Sequence, residues 1–126
     1  MAKNYLYISG PMTGKPYFNL RAFNGAEEDA RSWGIHFEEI FNPPHHDIAT
    51  YGDHILMSPT GDPGYAVANG FKLRDALSAD LEFITKKATH IYMLQGWEKS
   101  TGARAEHAAA VALGLKIIYQ PEQEAA

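Results

Sequence analysis

The sequence predicts a single-domain α/β protein built on a parallel sheet with helices on both faces. Three observations predict it. Short runs of β-branched and aromatic residues alternate with stretches whose apolar residues recur every three or four positions. Glycine and proline punctuate the ends of those runs. Finally, 126 residues with 45% hydrophobic content suffice for one core that buries about two-thirds of the unfolded surface.

Each element follows from its local pattern. Tyr5 to Ser9 (YLYIS) reads as a short buried strand, stopped at once by Gly10 and Pro11. From Asn19, the residues Leu20, Phe23, Ala26, Ala30 and Trp33 form the apolar face of a helix that Gly34 closes. A second strand spans Ile35 to Phe41, ended by Asn42, Pro43 and Pro44. Between His45 and Gly70 periodicity disappears, and a long irregular loop is expected there, functional or mobile. Regular pattern returns at Phe71. Leu73, Ala76, Leu77, Leu81 and Ile84 mark one helix face, and Lys86 and Lys87 sit in its last turn. His90 to Leu94 gives a third strand, Ala103 to Leu113 a helix stopped by Gly114, and the LKIIY stretch a last strand. The tail from Glu122 to Ala126 is expected to fray. The whole of residues 1–126 reads as one domain of the flavodoxin/Rossmann-like type.

Composition narrows the function. A formal charge of −4 argues against a duplex nucleic-acid surface, though a local cluster could hold one phosphate. Cysteine is absent, and no apolar run approaches the roughly 18 residues of a membrane span. Met1 to Asn4 leads into a strand without a cleavable apolar segment, so no signal peptide and a cytoplasmic location are expected. The expected ligand is small.

In open α/β sheets, ligands bind beyond the carboxyl ends of the strands, near the point where strand order reverses. That rule selects three segments. In Gly10 to Lys15 (GPMTGK), two glycines permit close backbone approach, Met12 lies between them, Thr13 offers a hydroxyl and Lys15 a cation. It can hold a phosphate, but it lacks the P-loop order and reads more readily as a turn leaving a strand. In Trp97 to Glu106, the residues Ser100, Thr101 and Gly102 open a helix whose first turns carry Arg104 and Glu106. Free amides at such an end bind anions; an ordinary N-cap is the alternative. In the helix before HIYML, Asp80 lies near the apolar face, positioned either toward the strand ends or in solvent. His45, His46, Asp47 and His54 invite a metal, but HExxH and cysteine partners are missing, and no metal site is expected.

Together these segments carry a resemblance. Tyr7, Ile8, Ser9 and Gly10, then Asp80 ahead of a strand, then Ser100, Gly102 and Glu106 resemble the nucleoside 2-deoxyribosyltransferase superfamily. Its relatives include 2′-deoxynucleoside 5′-monophosphate N-glycosidases. YISGPMTG, FNPP, LRDALSADL and GWEKSTGARAEHAAAVALG are similar in texture to a branch common in phages and prophages. The likeness runs from Tyr5 to Tyr119, outside the loop from His45 to Gly70. It implies that Glu106 is a nucleophile attacking C1′ of a deoxyribose, that Asp80 assists proton delivery to the leaving base, and that Tyr7 orients Glu106 or touches the sugar. It further implies phosphate contacts from Ser100, Thr101 and Gly102, from Thr13, Gly14 and Lys15, and from Arg104. No cofactor is implied; the partners are a deoxynucleotide substrate and further copies of the chain in a homo-oligomer, in the host cytoplasm if phage-encoded. Many relatives carry an acidic residue where this chain has Thr89. Tyr65 or Phe71 in or beside the long loop could stack on a base. Two other readings are a non-catalytic nucleotide-binding protein and an N-glycosidase acting on NAD or a signalling nucleotide.

Overall fold

The structure, a computed structural model, describes residues 2–122, so the part of the expected frayed tail from residue 123 onward lies outside the described residues. Four parallel strands form one sheet: β1 (Asn4–Ser9), β2 (Phe37–Phe41), β3 (His90–Met93) and β4 (Lys116–Tyr119). Their order is β2-β1-β3-β4. The chain therefore steps outward from β1 to β2, returns past β1 to β3, and continues to β4. Strand order reverses between β1 and β3, whose ends lie together through the pairs Ile8 with Tyr92 and Ser9 with Met93. The crevice expected of a doubly wound sheet opens beyond those ends.

The period of two along β1 distributes its side chains between two cores. Leu6 and Ile8 pack on one face with Phe23, Ala26 and Ala30 of α1 (Leu20–Arg31), joined by Phe37 and Tyr92. Tyr7 packs on the other with Phe83 and Ile84 of α4 (Leu73–Lys86), Ile91 and Met93 of β3, and Ala103 and Ala110 of α5 (Thr101–Leu113). Leu6, Ile8 and Ile91 are fully buried, each contributing roughly 1.5–3 kcal/mol of burial free energy. Alanine dominates α5 because its inner face lies close against the sheet. At its N-terminus Ser100 caps the helix, its hydroxyl accepting from the Ala103 amide; at its C-terminus Gly114 takes the left-handed conformation that stops it.

The segment 45–70 departs from the expectation of an irregular loop. Pro43 and Pro44, which end β2, also open a helix, α2 (Pro43–Tyr51). Proline suits a first helical turn, where its missing N–H is not needed, and Asn42 caps the end by accepting from the His45 amide. A short 3-10 turn (Asp53–Leu56) and a six-residue helix, α3 (Pro63–Ala68), follow, the latter capped by Asp62. Ile55, Leu56 and Ala66 join Phe18 in a third apolar cluster. β2 also starts two residues later than expected, because Gly34 at φ 77° leaves Ile35 exposed beside the turn.

Candidate active site

The carboxyl ends of β1 and β3 meet the N-terminus of α5, and Glu106 lies one and a half turns into that helix. Because Tyr7 and Ser9 alternate onto the same face of β1, both hydroxyls point at α5. Tyr7 Oη donates to Glu106 Oε2 at 2.7 Å, and Ser9 Oγ donates to Oε1 at 2.7 Å. Glu106 is 6% exposed and both donors are fully buried. Each carboxylate oxygen is thus held by one short hydrogen bond of the charge-assisted kind. Tyr7 is itself fixed by Phe41, stacked at 5.3 Å between ring centroids, and by Phe83 at 6.2 Å.

Two more carboxyl groups share this volume. Asp80 reaches it from α4, with Oδ1 buried and lacking a hydrogen-bond partner. Asp47 reaches it from α2 and is 4% exposed. Burial pushes Asp80 up to about 8, reinforced by the charges of Glu106 and Asp47 and partly offset by the Tyr7 hydroxyl. Burial also pushes Glu106 up to about 7, opposed by the hydrogen bonds from Ser9 and Tyr7, and Asp47 up to about 7. The Tyr7 phenol is raised well above its ordinary value, first by burial and then by Glu106, so it stays a donor. Both carboxyls are thus held toward the protonated form, Asp80 further than Glu106, whose charged form the two hydroxyls favour. Two carboxyl groups set apart in this way can divide the roles of acid and nucleophile.

The three carboxyls border one cavity of about 420 Å³, of the size that takes a small organic ligand. Gly10, Met12 and Thr13 line it from the loop after β1, and Ser100, Thr101 and Gly102 from the start of α5. Phe18, Ile55, Leu56, Ala66 and Phe71 supply an apolar wall. Gly10 is required where it stands: a Cβ there would lie 2.8 Å from Leu94 Cβ, blocking the close approach of the β1 and β3 ends. The Ser100 hydroxyl accepts from the Ala103 amide, its carbonyl accepts from the Arg104 amide, and its own amide donates to the Trp97 carbonyl. The Thr101 and Gly102 amides, in the first turn, have no intrahelical acceptor.

Other nominated residues lie elsewhere. The Gly14 amide is spent on the Gly61 carbonyl at 2.9 Å and the Lys15 amide on Met12 at 3.2 Å, so this part of GPMTGK is a structural turn. The Lys15 and Arg104 side chains are exposed and do not line the cavity. Ser9 acts only through Glu106. Of the two aromatics considered for base stacking, Phe71 lines the cavity, whereas the Tyr65 hydroxyl donates to the His54 carbonyl. Thr89 lies at the opposite end of the sheet, bonded to the Tyr5 backbone and His90. The histidines have separate settings: His46 stacks on Phe41, and His54 meets the Asn69 carbonyl. Among the described residues, no three His, Asp or Glu side chains are grouped to hold a metal ion.

From the sequence, Asp47 stands out only as a candidate metal ligand beside His45, His46 and His54, not as part of the carboxyl cluster. In the structure Pro43, Pro44 and Asp47 fall on one buried face of α2, a pairing of prolines with an acid that no apolar stripe marks in the sequence.

With this geometry established, comparison with known proteins adds a family. The family model described as Domain of unknown function (DUF4406) matches residues 4–119, a span that includes all four strands and every residue of the carboxyl cluster. A comparison with curated proteins returned no significant match, and one with solved structures returned none.

Proposed function

Since the chain belongs to the DUF4406 family, whose description names no activity, we propose from the site itself that it cleaves or transfers the N-glycosidic bond of a 2′-deoxynucleoside 5′-monophosphate. One observation carries this reading: Glu106 is a buried carboxylate, gripped at both oxygens by Tyr7 and Ser9, on the border of a ligand-sized cavity that Asp80 also faces. The resemblance of YISGPMTG, LRDALSADL and GWEKSTGARAE to the nucleoside 2-deoxyribosyltransferase superfamily supports it.

The chemistry follows from the two carboxyls. A Glu106 oxygen attacks C1′ of the deoxyribose while the bond from C1′ to the base nitrogen breaks. The departing base takes the bonding pair and receives the proton held by Asp80. The transition state is oxocarbenium-like, and negative charge beneath C1′ stabilises it. A deoxyribose ionises readily because it lacks an electron-withdrawing 2′-hydroxyl. The result is a deoxyribosyl ester of Glu106. Asp80, now ionised, removes a proton from water, which attacks C1′ and releases deoxyribose 5-phosphate and free Glu106. A second base attacking in place of water gives transfer. The first turn of α5 suits the phosphate: Ser100, Thr101 and Gly102 border the cavity at the positive end of the helix, where first-turn amides and the Thr101 hydroxyl can donate to an anion.

The test is base release. Purified protein is incubated with deoxynucleoside monophosphates, deoxynucleosides, ribonucleotides and NAD, each with and without a second free base, and products are resolved by chromatography. Release from a deoxynucleotide is expected, with exchange into the added base marking a transferase. A folded protein that binds nucleotides and releases no base from any of them would overturn the reading in favour of sequestration, and nicotinamide release alone would move it to NAD.

A further inference from the structure

Three carboxyl groups border the cavity, and the proposed reaction uses two of them. Asp47 is the third. It stands on α2, 4% exposed, and among the described residues no hydrogen bond reaches its carboxyl. Its surroundings offer no reason for a carboxyl group: Phe18, Ile55, Leu56 and Phe71 line the same cavity, and none of the lining residues is Lys, Arg or His. The neighbouring carboxyl on this cavity, Asp80, likewise leaves Oδ1 without a hydrogen-bond partner among the described residues. Buried polar groups in folded proteins are nearly always paired, so a carboxyl left unpaired beside a cavity is matched by polar groups on what fills it.

The position of Asp47 suggests which part of a ligand supplies them. Glu106 and Asp80 take the sugar carbon and the glycosidic nitrogen, and the start of α5 takes the phosphate. What remains is the apolar wall built by residues 53–71, suited to a flat ring, with Asp47 on a separate element at its edge. Resting on the nucleotide reading of the site, we infer that Asp47 is the base-reading residue, and that it selects deoxynucleotides whose base carries an exocyclic amino group. An amino N–H pairs with a carboxyl oxygen. A keto oxygen in its place sets acceptor against acceptor in a site with little water. When Asp47 holds a proton, its O–H also suits the bare ring nitrogen beside the amino group of cytosine or adenine.

The experiment compares bases that differ only in this group. Binding is measured by calorimetry in a Glu106→Gln background, which prevents turnover. The ligands are 2′-deoxycytidine against 2′-deoxyuridine monophosphate, and 2′-deoxyadenosine and 2′-deoxyguanosine against 2′-deoxyinosine monophosphate. Asp47→Asn and Asp47→Leu are added to the same background, with folding verified by circular dichroism. The amino member of at least one pair is expected to bind about tenfold or more tightly, as one hydrogen bond to a charged group allows. In Asp47→Asn, whose amide also donates, the ratio falls to within about threefold; in Asp47→Leu the amino ligand loses its advantage. Equal binding across every pair in the parent overturns the inference, even if neither variant folds. So does a preference that survives in a folded Asp47 variant, or no binding of any nucleotide. Amino selectivity without base release by the wild-type protein leaves the inference standing and removes only the glycosidase reading.

Discussion

In the proposed reaction Glu106 is oriented by two hydroxyls that the alternation of β1 places beside it. Tyr7→Phe deletes one donor without changing the ring that stacks on Phe41, so it isolates the hydrogen bond. We expect base release to fall on the order of tenfold to a hundredfold, with the acid limb of the pH profile moving upward because the ionised carboxylate has lost a partner. In the wild type, the limbs follow from the two carboxyls. Activity is expected to rise as Glu106 loses its proton near about 7 and to fall as Asp80 loses its own near about 8, a narrow bell that a pH–rate profile checks. Asp80→Asn is expected to abolish the alkaline limb and to lower the rate on the order of 10²- to 10⁴-fold, least for a base that leaves easily without a proton. A rate independent of pH between 6 and 9 would contradict both assignments. The resemblance singles out Tyr7 and Glu106, and helix periodicity leaves Asp80 open between the strand ends and solvent; the fold brings all three to one cavity. Arg104 and Lys15 looked equally suitable by residue type. Only the chain path shows that they stand outside the cavity, since one loop's backbone hydrogen bonds and one helix's outer face decide it.

At the scale of elements, the four strands and the long helices were legible and the short helices were not. α1, α4 and α5 span three turns or more, enough to display a 3.6-residue period. α2 and α3 have nine and six residues, and α2 buries Pro43, Pro44 and Asp47, so no apolar stripe announces it. Their role is to wall the cavity, and that wall is tied to the GPMTGK loop through Gly61. At φ 68°, a Cβ on Gly61 would lie 2.2 Å from the Lys15 carbonyl oxygen. Gly61→Ala is therefore expected to destabilise the fold by more than about 1 kcal/mol in urea unfolding and to weaken nucleotide binding, since it displaces the loop that carries Met12 and Thr13. Wild-type stability in that variant would contradict the contact. Between that loop and α1, Tyr17, Phe18 and Asn19 are left-handed without any glycine, a conformation that costs roughly 1–2 kcal/mol per residue. Burial of Phe18 in the apolar wall offsets it, together with hydrogen bonds from the Tyr17 amide to Ser58 and from Asn19 Nδ2 to the Pro11 carbonyl. No sequence pattern announces such a turn, because tertiary contacts hold it.

For the whole molecule, the doubly wound sheet was the most legible feature, and its order β2-β1-β3-β4 explains why residues from opposite ends of the chain meet in one cavity. Among the described residues, no helix is long and apolar enough to cross a membrane. Gathering three carboxyls also makes global stability depend on pH. Asp47, Asp80 and Glu106 all have raised values, so the folded state holds more protons than the unfolded chain until pH passes about 7 to 8. Their contribution is complete below the unfolded carboxyl range and is lost as pH rises through the folded values. His90, lowered by burial, acts oppositely, but its contribution is complete above its ordinary 6.5. Between pH 6.5 and 8.5 the ligand-free protein is therefore expected to lose thermal stability, and Asp47→Asn to flatten the decline. A melting temperature that rises over that range would contradict the burial of these groups. The central claim, that Glu106 carries the sugar during the reaction, is tested most directly by mass spectrometry of protein acid-quenched during turnover of a deoxynucleotide. A deoxyribosyl phosphate adduct on the peptide containing Glu106, absent in Glu106→Gln, is the predicted result; base release that continues in Glu106→Gln with no adduct on the wild type would contradict it.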